Sequence, residues 1–441
     1  MRYYSTQGGH KTDLIGAMLK GLAPDGSLYV PEELPRFDPE SISGQTVAEI
    51  GTELLAPFFA GSPLDGSLEA ICHDALNFPV PLEDLPMEKG GLAVLELFHG
   101  PTVAFKDVGA RFLAVAMERA LPGLEPADQR PLTILVATSG DTGGAVAAAF
   151  HRRQGMRVGV LFPKDQVSPR QQHQLTCWGD NVRSFEVEGS FDDCQAMVKA
   201  VFIDPEVGAR HRLSAANSIN VGRLLPQVVY HAAASLWHQR RHGAPASFIV
   251  PAGNLGNALA CIWARAMGMP IGSIILATNA NRTIPDFLTT GDWQPRPSVQ
   301  TLASAMDVGD PSNMERLRHL IPDFADLRQS VEAYPVEDAA IRQQIIRDYE
   351  RFERAWCPHT ATAFWVYDQL PRARREAEPW IVVATAHPAK FDSIVEEAIG
   401  RRVAVPAELA ALLELPAQCE RLPADAAALA RALDDWYFIK Q

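Results

Sequence analysis

Short apolar runs alternate with amphipathic segments along most of this chain. From residue 132 onwards, each apolar run is followed by a polar or glycine-rich loop. Continuous apolar runs of this length predict strands that are buried on both faces, and the segments between them have helical periodicity. The predicted strands are 132–137, 157–162, 182–187, 247–250, 271–277 and 380–385. Strands that alternate with helices predict mostly parallel sheets covered by helices on both faces.

The first part of the chain has a different pattern, with short strands and turns around two predicted helices, 12–22 and 47–59. A chain of 441 residues is too long for a single core. Three parts are expected, an N-terminal domain at 1–92, a small α/β domain at 93–225 and a large α/β domain at 226–441. In the last part, the segment 283–330 is rich in Pro, Asp and Ser, which predicts a mobile insertion, and the tail at 407–436 is predicted to be helical.

Charge and composition exclude several classes of protein. The chain carries 53 acidic and 40 basic residues, a net charge of −13, which argues against a nucleic-acid partner. No apolar run is long enough to span a membrane, and the first residues lack the apolar core of a signal peptide. The six cysteines form no C-x-x-C pair, and no His/Cys cluster has metal-ligand spacing. We expect a cytoplasmic protein with reduced thiols and no metal.

One stretch combines a strand, a turn and a lysine at a helix start. The apolar run 92–97 is followed by a Gly-Pro turn, and Lys106 stands where the next helix is predicted to begin. The positive end of that helix and the apolar neighbours Ala104 and Phe105 disfavour a charged amine, so the pKa of Lys106 should be lowered. A neutral lysine can form a Schiff base with an aldehyde. A surface lysine fits the same stretch equally well.

Polar loops follow several of the predicted strands. The loop at 138–144 places Thr138, Ser139 and Thr142 between a strand and a helix N-terminus, an arrangement that forms anion pockets. The loop at 253–257 has the same placement, but a tight turn explains its glycines as well as a phosphate does. The lysine loop and the loop at Thr360 are also expected at strand ends. Because ligands bind at the carboxyl ends of strands in open parallel sheets, we expect these four loops to share one site.

The sequence around the lysine closely resembles the pyridoxal-phosphate lysine motif of threonine synthases. The stretch reads Phe98-His99-Gly100-Pro101-Thr102-Val103-Ala104-Phe105-Lys106-Asp107-Val108-Gly109. The turn at 25–31 and the segment 385–391 resemble motifs of the longer class of that family. The resemblance covers nearly the whole chain. It implies the fold of tryptophan synthase β-chains, which is fold type II of the pyridoxal-phosphate enzymes, with two mostly parallel sheets flanked by helices and an additional N-terminal section.

The resemblance also implies a cofactor site. In this family the lysine that matches Lys106 carries pyridoxal 5'-phosphate as an internal aldimine. The residues that match the cofactor-phosphate loop are Gly253, Asn254, Leu255, Gly256 and Asn257. Thr360 matches the hydroxyl residue that meets the ring nitrogen, and a hydroxyl there suits eliminations and replacements better than transamination. From the residues alone, a helix N-cap is the commoner role for a threonine at this position.

The implied substrate is O-phospho-L-homoserine, which brings a second phosphate into the site. Asn217, Ser218 and Arg223 match family positions that bind the substrate phosphate, and arginine suits bidentate phosphate contact. A surface arginine is the alternative interpretation of Arg223. Further predicted substrate-binding residues are Thr138, Ser139 and Thr142. Asp141 stands where shorter members have Asn beside the cofactor's 3′-oxygen, so it is expected to be protonated or turned away.

These features predict a threonine synthase that converts O-phospho-L-homoserine and water to L-threonine and phosphate by γ-elimination and β-addition of water. Lys106 is the expected base for the Cα proton and for later transfers at Cβ. Two other enzymes stay open as alternatives: a phospho-lyase that releases 2-oxobutyrate, and a threonine or serine dehydratase, which has no use for Arg223. A regulatory protein that holds the cofactor without turnover is a third alternative. Monomer and homodimer are both compatible with the sequence.

Overall fold

The N-terminal section folds around a small antiparallel sheet. The computed structural model describes residues 1–123 and 130–438. The section contains β1 (Tyr3–Ser5), β2 (Lys11–Thr12), α1 (Leu14–Lys20), β3 (Tyr29–Pro31), α2 (Val47–Phe59) and α3 (Leu68–Ala75), with sheet order β2-β1-β3. Capping sets where α2 begins, because Thr46 forms a capping box with Glu49. The predicted helix at 12–22 is shorter because Asp13 caps α1.

The middle of the chain alternates strands and helices as the apolar runs predict. Its elements are β4 (Leu82–Asp84), β5 (Leu92–Glu96), α4 (Lys106–Ala120), β6 (Leu132–Ala137), α5 (Asp141–Phe150), β7 (Met156–Pro163), α6 (Pro169–Thr176), β8 (Val182–Glu188), α7 (Phe191–Ile203), α8 (Pro205–Arg210), β9 (Arg212–Ala215) and α9 (Val221–His242). Every residue of β6 and β7 is buried, as expected for strands covered on both faces. The sequence did not predict β9, which precedes a long buried helix, α9.

The last part of the chain completes two main sheets. Its elements are β10 (Ala246–Pro251), α10 (Gly256–Ala266), β11 (Ile271–Thr278), α11 (Thr283–Thr290), α12 (Met314–Leu320), α13 (Phe324–Ser330), β12 (Glu332–Pro335), α14 (Asp338–Phe352), α15 (Pro358–Gln369), α16 (Arg372–Ala377), β13 (Trp380–Ala384), α17 (Asp392–Ile399), α18 (Ala407–Leu413), β14 (Glu420–Pro423) and α19 (Ala426–Phe438). The larger sheet has the order β12-β11-β10-β13-β5-β4, and the smaller has the order β14-β8-β7-β6-β9. All pairings in them are parallel except β4 with β5. This confirms the predicted fold class. Within the described residues, no helix has the length and apolarity that a bilayer crossing needs.

Two strands pair with strands that the predicted three-part division places in a different part of the chain. β5 was assigned to the part beginning at residue 93, but it pairs with β13 in the larger sheet. The tail was predicted to be helical within the last part, but it contains β14, which pairs with β8 in the smaller sheet. A four-residue strand with exposed charged residues gives no apolar run, so the sequence pattern could not reveal it. The division itself stays a prediction.

The segment 283–330 is part of the packed structure rather than a loose insertion. It contains α11, α12 and α13, and Leu317 and Arg316 of α12 are fully buried. The Arg316 guanidinium donates to the carbonyl oxygens of Tyr29, in β3, and of Ile219. The composition of the segment predicted mobility, because composition does not reveal hydrogen bonds to carbonyl groups that are distant in the chain. The insertion therefore connects the N-terminal section to the loop before α9.

Candidate active site

A cavity of about 330 Å³ is lined by the loops that follow β6, β10 and β13. The predicted site residues that line it are Lys106, Thr138, Ser139, Thr142, Asn217, Ser218, Arg223, Gly253, Asn254, Leu255, Gly256 and Asn257. Thr360 is fully buried and does not line the cavity, although its neighbour His359 does. Among the described residues, no group of His, Cys, Asp and Glu could hold a metal ion. The expected meeting at strand ends is confirmed for the lysine loop, the loop after β6 and the glycine loop. It is wrong for the loop at Thr360, which follows α14 rather than a strand.

Lys106 opens α4 on one wall of the cavity. Its Nζ lies 4.6 Å from the centre of the Phe105 ring. Burial, followed by the nearby Arg223 guanidinium, lowers the pKa of Lys106 to about 8. The prediction of a depressed lysine pKa is therefore confirmed, and the surface-lysine alternative is wrong. A minor fraction of this amine, on the order of a tenth, is therefore neutral and nucleophilic at pH 7.

The loop before Lys106 is held in a strained conformation. Val103 has a φ of 50°, which is the left-handed region and is rare for a β-branched residue. The backbone around it is fixed from the opposite loop, because Val103 O accepts from the His387 N–H at 3.0 Å and the Phe105 N–H donates to Thr385 O at 2.8 Å. The buried carboxylate of Asp107 accepts from the N–H and the hydroxyl of Thr102 at 2.8 and 2.7 Å. These bonds fix the direction in which the lysine leaves the loop.

The glycine loop forms a cradle at the start of α10. Leu255 has a φ of 65°, and the helix begins directly after it, so the first N–H groups of α10 face the cavity. A Cβ added at Gly256 would lie 3.6 Å from its nearest neighbouring atom, an ordinary contact distance, so the protein itself does not exclude a side chain here. Asn257 has a buried Nδ2 without a hydrogen-bond partner among the described residues. An anion at this position would satisfy these donors.

The loop after β6 uses one of its three predicted hydroxyls internally. Thr138 Oγ1 accepts from the N–H groups of Gly140 and Gly143 at 3.0 and 2.9 Å, so it shapes the turn. Ser139 and Thr142 line the cavity and form no side-chain hydrogen bond with the described residues. Of the three hydroxyls, these two are the ones that a ligand can meet directly.

Asp141 is paired with a lysine that sequence analysis did not place in the site. Burial by itself would raise the pKa of Asp141, but Lys390 Nζ lies 2.8 Å from its Oδ1 and the net effect lowers that pKa to about 2. Lys390 is fully buried and also donates to Thr102 O at 2.9 Å, and Gln171 donates to Asp141 at 3.0 Å. Asp141 is therefore ionised. Of the two expected states, the protonated carboxyl is wrong, and a carboxylate turned away from the cofactor stays a prediction. The signal for Lys390 was its place in the 385–391 motif.

Arg223 lies beneath the lysine, where it is 1% exposed, so the surface-arginine alternative is wrong. Its Nη1 donates to Ala216 O, and its Nη2 lies 3.4 Å from Lys106 O. Its Nε has no partner among the described residues and faces helix α4, since a Cβ on Gly109 would lie 2.8 Å from it. Burial lowers the pKa of Arg223 to about 10. Most of this guanidinium is engaged by the protein, beside the lysine backbone.

A missed residue, Asn313, ties the predicted substrate loop to the glycine loop. Its Nδ2 donates to Ser218 O at 3.2 Å and to Asn254 O at 3.0 Å, and its Oδ1 accepts from Arg316 at 2.7 Å. The Asn254 side chain in turn donates to Ser218 Oγ at 2.6 Å. Asn217 keeps a buried Oδ1 without a partner among the described residues. The two loops are thus fixed relative to each other.

Thr360 lies in the first turn of α15, and Cys357 is the N-cap, with its Sγ accepting from the Thr360 N–H. The N-cap interpretation of Thr360 is therefore wrong. Its Oγ1 accepts from the Thr385 N–H at 3.2 Å. Beside it, His359 Nε2 accepts from the Ala305 N–H at 3.0 Å, and burial lowers the pKa of His359 to about 4. His359 is neutral and carries its proton on Nδ1.

A lysine of lowered pKa and a glycine cradle line one cavity. Together with the two-sheet fold, they define the class of pyridoxal-phosphate enzymes. Consistent with that, the family model "Pyridoxal-phosphate dependent enzyme" matches residues 77–386. Models of the threonine synthase N terminus and of the C-terminal region of threonine synthase match residues 2–76 and 360–433. The chain belongs to the threonine synthase family of pyridoxal-phosphate-dependent enzymes.

Individual relatives agree with the family models over the full length of the chain. The threonine synthase of Escherichia coli (strain K12) is 37% identical over 424 residues, which cover 95% of each chain. The crystal structure of the Escherichia coli enzyme has a TM-score of 0.89 at 34% identity and covers 99% of this chain and 100% of that one. The structure of pyridoxal-phosphate-bound threonine synthase from Brucella melitensis has a TM-score of 0.88 at 34% identity, with 99% of each chain covered.

Proposed function

We propose that this protein converts O-phospho-L-homoserine and water to L-threonine and phosphate in the cytoplasm, with pyridoxal 5'-phosphate bound at Lys106. The observation that carries the proposal is a half-buried amine of lowered pKa in a cavity with two polar loops, which suit two phosphates. When bound, pyridoxal phosphate acts as an electron sink for carbanions next to the amino group. We assign its phosphate to the cradle of residues 253–257 and its ring nitrogen to the Thr360 hydroxyl.

The chain's own groups then handle protons and charge. Lys106, when not attached to the cofactor, has a pKa of about 8, so a neutral fraction is available to take the Cα proton and the protonated form can return protons at Cβ. Ser139 and Thr142 offer hydroxyls to the substrate at the N-terminus of α5. Asn217 and Ser218 contribute further polar atoms to the same cavity, beside the glycine loop. The cavity holds these groups on helix starts and hydrogen-bonded loops, which limits their motion.

Product analysis tests the proposal. The holoenzyme incubated with O-phospho-L-homoserine should release L-threonine and inorganic phosphate in equal amounts. Release of phosphate with 2-oxobutyrate identifies the phospho-lyase, and deamination of L-threonine or L-serine in preference to the phosphorylated substrate identifies a dehydratase. Either result overturns the proposal.

Gly256→Val should weaken cofactor binding without unfolding the protein. The added side chain would lie beside the first N–H groups of α10, where the cofactor phosphate is assigned. Titration of the apoenzyme with pyridoxal phosphate, followed by absorbance, should show a loss of affinity of about tenfold or more, the cost of about one hydrogen bond to a charged group. Gly66→Val is the matched control, because a Cβ there meets nothing within 4 Å. Equal affinities in the two variants would remove the loop from the cofactor site.

Arg223→Met should shift the attachment of pyridoxal phosphate to the apoenzyme to higher pH. Arg223 is the second cause of the lowered pKa of Lys106, so its loss raises that pKa and reduces the neutral amine at a given pH. We also expect kcat/KM for O-phospho-L-homoserine to fall about ten- to a hundredfold. Arg223→Lys keeps the charge and should keep the pH profile. A fall in kcat/KM with an unchanged profile would mean that Arg223 acts on the substrate directly.

A further inference from the structure

We propose that Arg296 contacts the phosphate of the substrate at the mouth of the cavity and thereby selects a phosphorylated amino acid. The proposal rests on the function proposed above and names a residue for its substrate specificity. Sequence analysis placed no role on Arg296, which lies in the segment 283–330. In the structure, Arg296 and its neighbours Pro297 and Ser298 line the same cavity as Lys106.

Among the described lysines and arginines that line the cavity, Arg296 has the most side-chain nitrogens without an acceptor, two against one in Arg223. Among the described residues, the lysines and arginines that line the cavity are Lys106, Arg223 and Arg296. Lys106 is assigned to the cofactor. The Arg223 guanidinium is fully buried, with its Nη atoms directed at the carbonyl oxygens of Ala216 and Lys106. Arg296 is the remaining lining cation.

The Arg296 side chain is half-exposed and only partly engaged by the protein. It is 48% exposed, and its Nη1 pairs with Asp286 Oδ2 at 2.8 Å. Its Nε and Nη2 have no hydrogen-bond acceptor among the described residues. A guanidinium that is oriented by one carboxylate and has two further nitrogens free can still present donors to a phosphate oxygen.

Hydrogen bonds fix the backbone at Arg296. The Arg296 N–H donates to Gly309 O at 3.2 Å. The two segments lie so close together that a Cβ on Gly309 would be 1.7 Å from Arg296 O. Three residues further on, Val299 exchanges two hydrogen bonds with the Asn281 side chain at 2.7 and 2.8 Å. Arg296 therefore stands at a defined place on the rim.

The charges of the cavity wall also favour a role for Arg296. The carboxylates of Asp192 and Asp310 also line the cavity, and neither has an ion-pair partner among the described residues. These acids repel a phosphate dianion in the cavity unless a cation faces it. Arg296 supplies that cation, whereas an unphosphorylated amino acid does not need it. The rim thus favours the phosphorylated substrate through Arg296.

The test compares two arginines that share one partner. Arg282 pairs with the same Asp286 through Oδ1 at 2.8 Å, but it does not line the cavity. Arg296→Gln should lower kcat/KM for O-phospho-L-homoserine about ten- to a hundredfold, with Arg296→Lys in between, while Arg282→Gln stays close to wild type. Inorganic phosphate should inhibit the Arg296→Gln holoenzyme competitively with a Ki raised by a similar factor.

A binding measurement separates substrate selection from damage to the site. The affinity of the holoenzyme for L-homoserine, which lacks the phosphate, is measured by titration of the cofactor absorbance and should be the same in wild type and Arg296→Gln. The inference is wrong if Arg296→Gln and Arg282→Gln have equal kcat/KM. It is also wrong if Arg296→Gln weakens the binding of L-homoserine as much as the binding of inorganic phosphate. Failure of the wild-type protein to form threonine would instead overturn the proposed function, so the two failures are distinguishable.

Discussion

Replacement of Lys106 by alanine should abolish covalent attachment of pyridoxal phosphate and lower kcat by at least about 10²–10⁴-fold, the usual contribution of a general base. The loss is expected to be larger still, because the same amine both carries the cofactor and accepts the Cα proton. Its pKa of about 8 suits both roles, since the neutral and protonated forms are both populated near neutral pH.

The measurement is absorbance combined with borohydride reduction and mass analysis of the peptides. Wild-type protein should retain the cofactor on the peptide that contains Lys106 after reduction, and Lys106→Ala should not be labelled. Lys89→Ala, at an exposed position, is the control and should behave as wild type. Retention of both the absorbance band and turnover in Lys106→Ala would show that another residue carries the cofactor.

The parts of the site that sequence analysis predicted are those encoded by consecutive residues. The lysine motif, the loop after β6 and the glycine loop each consist of a short stretch between a strand and a helix, so their type and placement follow from local pattern. Every predicted residue of these loops lines the cavity. The pKa of Lys106 was also predictable in direction, because apolar neighbours and a helix start are visible in the sequence.

The parts that were missed depend on contacts between distant residues. Asn313 joins Ser218 to Asn254, and Arg316 donates to the carbonyl oxygen of Tyr29, 287 residues away. Both lie in a segment whose Pro, Asp and Ser content is typical of a mobile insertion. Backbone carbonyls are acceptors at every position, so no residue type in the sequence marks which of them a buried arginine will meet.

The state of Asp141 shows the same limit in electrostatic terms. From the sequence, Asp141 next to an anionic oxygen was expected to be protonated or turned away, but a neutralising cation that lies far along the chain is visible only in the fold. Lys390 lies 249 positions later and reaches Asp141 because the turn after β13, a 3₁₀ segment at Pro388–Phe391, packs against α6. The pair also connects the smaller sheet, through α5, with the larger one.

Lys390→Met should destabilise the protein by about 3–5 kcal/mol, the cost of removing one partner of a buried ion pair. Both side chains are almost inaccessible, at 0% and 4% exposure, so water cannot replace the lost ammonium. Without Lys390, burial dominates and the pKa of Asp141 rises. The carbonyl oxygen of Thr102 loses its ammonium donor as well, which loosens the loop before Lys106. Cofactor affinity should fall together with the free energy of unfolding.

Urea unfolding of the apoenzyme at several pH values measures this effect. Because the folded pKa of Asp141 is lowered to about 2, the pair stabilises fully above the ordinary aspartate value of 3.8, and its contribution is lost as the pH falls through about 2. The difference between wild type and Lys390→Met should therefore begin to narrow as the pH falls through the raised Asp141 pKa of the variant, which lies above 3.8, and should continue to narrow down to about pH 2. Arg342→Met, which breaks a surface pair with Glu397, is the control and should change stability little at any pH.

The double variant Lys390→Met/Asp141→Asn decides whether charge or shape is responsible. Replacing both members of a buried ion pair by uncharged side chains of similar size is often nearly neutral, whereas removing one leaves an uncompensated charge. We expect the double variant to regain most of the stability lost in Lys390→Met, with a coupling free energy well above that of independent sites. If the two substitutions are simply additive, Lys390 supports the loop only through Thr102 and does not neutralise Asp141.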